Sequence, residues 1–80
     1  MTGMIERMTP GRVTFSINGK RTSFEGEGFP HSPNGPYYLV YLNTIKTWAD
    51  GTAITEQERD LVVDQFTKDA SARGLNLQFE

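Results

Sequence analysis

The chain contains no cysteine and a single histidine, His31. Without thiols it can form neither disulfides nor thiolate metal sites, so packing and hydrogen bonding alone must hold a small domain together. One histidine also leaves little for zinc, which draws several Cys or His ligands at set spacing. A general base needs a partner within hydrogen-bond reach, yet His31 sits between Pro30 and Ser32 in a Gly/Pro-rich stretch. It reads as an exposed loop residue. A basic excess is missing too: eight Lys and Arg stand against ten Asp and Glu, for a net charge of −2. Nucleic-acid binders carry a basic stripe, so no nucleic-acid partner is expected. No apolar run reaches the length of a membrane span, and no membrane partner is expected. Glu6 and Arg7 fall where a signal peptide needs its apolar segment, so the expected location is cytoplasmic. The close acids of Glu25-Gly26-Glu27-Gly28 match no calcium or phosphate loop and read as solvated charge. No cofactor, metal or catalytic residue is expected.

What is present is a well-marked helix and strand near the end of an 80-residue chain, read as a single domain, 1–80. Thr55-Glu56-Gln57-Glu58 is a capping-box pattern, in which threonine and glutamate each satisfy the other's backbone N–H. Val62, Val63, Phe66 and Ala70 recur at three- and four-residue spacing and mark one apolar stripe. Gly74 suits the left-handed exit from a helix. Leu75, Leu77 and Phe79 then alternate with polar residues, as in a half-buried strand.

Ahead of the helix, residues 4–8 and 12–17 read as strands joined by Thr9-Pro10-Gly11-Arg12, whose proline and glycine suit a type II turn. Asn18-Gly19 is the strongest hairpin signal, since both residues tolerate the positive φ of a type I′ turn. It leads into a third strand, 20–25, with a register set by the turn. That register pairs Ile17 with Lys20, Phe15 with Thr22 and Val13 with Phe24 on a mostly apolar face. Ser16 and Arg21, Thr14 and Ser23, and Arg12 and Glu25 pair on the other face. Residues 26–36 alternate glycine and proline and read as a long loop, functional or mobile. Residues 37–48 read as the longest strand, apolar on both faces and therefore central; a helix over 39–48 is the competing reading. The expected fold is α+β. A mixed, mainly antiparallel sheet, built from a three-strand meander, a long strand and a C-terminal strand, packs on one α-helix. The last strand runs parallel to the long one through a βαβ crossover.

Two groups of residues qualify as partner-binding candidates. Glu56, Asp60 and Asp64 follow one another at i, i+4 and form an acidic row on the helix, either a plain solvated face or a ridge that attracts a basic partner. Phe29, His31, Tyr37 and Tyr38 belong to or border the Gly/Pro loop, and aromatic residues there serve either a core or a contact surface.

The order of the pieces also resembles a known family. Ile5-Glu6-Arg7 precedes a Gly-Lys-Arg hairpin and Glu25-Gly26-Glu27. Tyr38-Leu39-Val40-Tyr41-Leu42, Ile45-Lys46-Thr47-Trp48, Ile54-Thr55-Glu56, a helix and a Gly-Leu-Asn-Leu-Gln-Phe end follow. This resembles the immunity protein 74 family of bacterial polymorphic toxin systems. The resemblance covers nearly the whole chain and rests best on Tyr-x-x-x-Ile-Lys-x-Trp, residues 41–48. It implies a small α+β protein encoded beside a toxin gene, which binds a cognate protein toxin and neutralises it by occlusion, without catalysis. It carries over no contact residues. The rival is a small non-enzymatic ligand-binding or assembly module, homodimeric through the aromatic strand or a sheet edge.

Overall fold

A computed structural model describes residues 3–80, so the first two residues of the expected 1–80 domain lie outside it. Its elements are β1 (Gly3–Thr9), β2 (Arg12–Ile17), β3 (Lys20–Phe29), β4 (Tyr37–Val40), a 3-10 turn (Leu42–Thr44), α1 (Glu56–Ala72) and β5 (Asn76–Phe79). The strands form one sheet in the order β1-β2-β3-β4-β5. Every pairing is antiparallel except the last, where β5 runs parallel to β4 across the helical crossover. This is the α+β architecture expected from the sequence.

The local signals act where they stand. Asn18 and Gly19 have φ of 53° and 74°, and all six β2–β3 pairs take the register that this turn dictates. Thr14 and Ser23 hydrogen-bond through their hydroxyls at 3.1 Å. Arg12 and Glu25 face each other without bonding. Arg21 instead forks onto Glu6 of β1 at 2.8 and 3.0 Å, which holds the Glu6 carboxyl below its ordinary range. In the capping box, Thr55 Oγ1 accepts from the Glu58 N–H at 3.1 Å and Glu58 Oε1 from the Thr55 N–H at 2.9 Å. At the other end the Leu75 N–H reaches the Ala70 carbonyl and the Gly74 N–H that of Ser71, with Gly74 at φ 75°. That is a Schellman ending, which occupies carbonyls the helix would otherwise strand.

Three expectations need correction. The first turn is not type II, because Gly11 does not take positive φ as the third position of that turn requires; Thr9 Oγ1 instead accepts the Arg12 N–H at 3.1 Å. The loop expected over 26–36 begins only after Phe29, because β3 continues through Gly26 and Gly28 and is the longest strand. Those glycines are bonded on both sides: β4 lies on one, and on the other their N–H groups donate to the carbonyls of Gly11 and Pro10 at 3.3 and 3.1 Å. They stand where they do because the Tyr38 ring lies over them. A Cβ on Gly26 would overlap that ring and come within 2.6 Å of the Leu39 carbonyl. Finally, the stretch 37–48 is not one strand. It follows β3 as far as Tyr41, whose N–H donates to the Glu25 carbonyl, folds outward in the 3-10 turn, and returns where Trp48 bridges Thr22. An unbroken ladder from Gly26–Val40 would have set Thr44 opposite Thr22, so the turn absorbs four residues.

One face of the sheet buries Val13, Phe15, Ile17, Phe24, Tyr38 and Val40 beneath α1 and the 3-10 segment. Phe66 of the helix is the keystone. Its ring meets Phe15 and Phe24 edge-on, with centroids at 5.7 and 5.2 Å, the T-shaped arrangement that ring quadrupoles favour. The helix packs against β1 on one flank and β5 on the other. At β1 it closes the sheet edge. Asp69 accepts the Ile5 N–H at 2.9 Å, and Arg73, held by Asp69 at 3.1 Å, reaches the Ile5 carbonyl at 3.4 Å. A register shift between Ile5 and Arg7 interrupts the pairing with β2 at the same place.

Candidate partner-binding surface

The seven candidate residues fall into two places and one interior position. Phe29 and Tyr37 are cross-strand neighbours on the sheet face turned away from the helix. Their rings stack at 4.7 Å and 14° and are half-buried. His31 follows two residues later, exposed in the turn after β3. Tyr38 is different. Only 4% of it is exposed, and its hydroxyl donates to the Thr9 carbonyl at 3.0 Å. Burial pushes its hydroxyl pKa up and leaves no ring for a partner to touch. The strand alternation that turns Tyr37 outward turns Tyr38 inward.

Glu56, Asp60 and Asp64 lie exposed on α1. Asp60 and Asp64 form part of the wall of a groove of about 810 Å³ between the helix and the end of β5. Tyr41, Leu42 and Val63 give it apolar area, Glu80 stands at its rim, and Arg59 is the one cation among the described residues that line it. Glu56 stands in the first turn, off that wall. Asp64 pairs with Lys68 at 3.2 Å; among the described residues no ion pair involves Asp60 or Glu80. The groove thus sets three carboxylates, one of them paired with Lys68, against the Arg59 guanidinium around apolar contact area, a chemistry suited to recognising positive charge.

Tyr41 was not among the candidates. Its hydroxyl donates to Glu27 at 3.1 Å, and that bond is the main cause of its raised pKa. Leu42 and Glu80 join the groove because the 3-10 turn folds outward over the strand end: the Leu42 N–H donates to the Glu80 carbonyl at 2.9 Å. Leu42 and Glu80 are far apart in the chain, and no local pattern announces their meeting.

The basic pair Lys20–Arg21 is engaged within the fold. Arg21 holds Glu6, while Lys20 lies 5.2 Å from the Trp48 ring centroid and 3.5 Å from Glu58. Glu58 is held below the usual carboxylate range chiefly by the Thr55 N–H. Among the described residues no three His, Asp or Glu side chains gather as a metal site, and no helix is long and apolar enough to cross a membrane.

Searches of curated proteins and of solved structures gave no match. A family model does match: that of immunity protein 74, over residues 5–80. The match runs from within β1 through β5, so the chain belongs to the immunity protein 74 family.

Proposed function

We propose that the chain binds a cognate protein toxin in the cytoplasm of the producing bacterium and neutralises it by covering its active surface, without chemistry of its own. The observation that carries this reading is family membership over residues 5–80. The surface is in keeping with it. An acidic groove with an apolar floor offers charge to steer a basic partner and area to hold it. Asp60 and Asp64, with Glu56 beside them, supply the charge; Phe29, His31 and Tyr37 supply a second, aromatic contact on the opposite face of the sheet. Tyr38 supports that face from inside instead of touching the partner. The partner is a protein, and no nucleic acid or lipid takes part.

The experiment is co-expression. The toxin encoded beside this chain is induced with and without it, and growth is followed. Protection that also yields a copurifying complex is the expected result. Unprotected growth, with the chain folded and the toxin authenticated, would overturn the reading in favour of a small ligand-binding or homodimeric module.

A further inference from the structure

The sheet has a second edge, and the helix does not close it. β5 is the last strand and pairs only with β4. Glu80 uses both its backbone groups toward that neighbour: its N–H donates to the Val40 carbonyl, and its carbonyl accepts the Leu42 N–H, each at 2.9 Å. In a parallel ladder these directions alternate residue by residue. Asn76 and Gln78 therefore also point toward β4, while the N–H and C=O of Leu77 and Phe79 point out of the sheet. No lysine or proline stands on this strand to blunt the edge, and no bulge breaks it.

At the C-terminal end of the strand lies the acidic groove, walled on the far side by Asp60, Val63 and Asp64 of the helix. We propose that β5 is the docking edge for the toxin: an extended basic segment of the partner adds to the sheet as a sixth strand, bonding to Leu77 and Phe79. Its Lys or Arg side chains then meet Asp60, Asp64 and Glu80. This rests on the immunity reading and gives it a geometry. Main-chain bonds along an open edge supply affinity, and side chains at alternate positions supply specificity. Charge decides the occupant. A second copy of this chain laid along β5 would offer Asn76 to Glu80, with no basic side chain for the groove acids, whereas a basic strand is attracted.

The test is amide hydrogen exchange on the full chain, free and with the neighbouring toxin domain. Leu77 and Phe79 amides exchange freely in the isolated chain and become protected in the complex, while Gln78 is protected in both. Leu77→Pro removes one outward N–H and spares the bonds to β4; it weakens toxin binding by about tenfold or more, as loss of an interfacial hydrogen bond with its register implies. Asp60→Asn with Asp64→Asn, which leaves the backbone untouched, slows association and flattens its salt dependence. A complex that leaves Leu77 and Phe79 exchanging freely overturns the edge assignment and spares the immunity reading. Protection of these amides that grows with the concentration of the chain alone overturns it in favour of self-association. Absence of any complex overturns both readings.

Discussion

The two edges of the sheet are finished in different ways. At β1 a register shift interrupts the pairing with β2, and helix-end side chains occupy the backbone groups of Ile5: Asp69 takes the N–H and Arg73 approaches the carbonyl. At β5 the outer backbone of Leu77 and Phe79 has no hydrogen-bond partner among the described residues, and a groove lined by Asp60, Asp64 and Glu80 opens just past the strand's C-terminal end. Bare strand edges invite pairing with other chains, and proteins ordinarily blunt them. Blunting one edge with two dedicated side chains and leaving the other bare is the asymmetry on which the proposed docking edge rests. The same helix makes the difference, because it carries Asp69 and Arg73 on one flank and Asp60 and Asp64 on the other.

The comparison can be broken outright by undocking the helix. Phe66 is 1% exposed and joins α1 to both β2 and β3. Phe66→Ala is expected to cost about 3–5 kcal/mol, a large part of the ~5–15 kcal/mol that holds a domain together. Chemical denaturation would show a collapsed midpoint and the loss of both edges at once; a shift of only a few tenths would mean that the helix is anchored elsewhere. A smaller change sharpens the contrast. Asp69→Ala leaves the Ile5 N–H unpaired at a residue only 8% exposed, with an expected cost of about 1–2 kcal/mol. It also opens β1, so sedimentation should reveal concentration-dependent association absent from the parent chain. A monomer at all concentrations would show that the register shift alone guards that edge.

Much of this fold was legible in the sequence wherever a short stretch decides its own geometry. Asn18-Gly19 sets the β2–β3 register pair by pair, Thr55 with Glu58 starts the helix, and Gly74 ends it. What could not be read depends on residues that meet across the sheet. Gly26 and Gly28 look like loop glycines until Tyr38 is placed over them. The outward fold at Leu42–Thr44 has no breaker residue to announce it; it exists because Trp48 returns to Thr22, where Thr22 Oγ1 donates to the Thr47 carbonyl at 2.7 Å. The candidate surface followed the same division. Helical periodicity was enough to align Asp60 with Asp64, but their neighbours Tyr41, Leu42 and Glu80 come from two other segments brought together by packing.

The most direct test of the immunity reading is a titration of the neighbouring toxin's activity with the purified chain, with the bound fraction followed in the same samples. Occlusion predicts that activity falls in proportion to complex formed and vanishes at one chain per toxin, with activity regained on dissociation. Toxin lost at far less than one equivalent, or activity undiminished in a saturated complex, would contradict it.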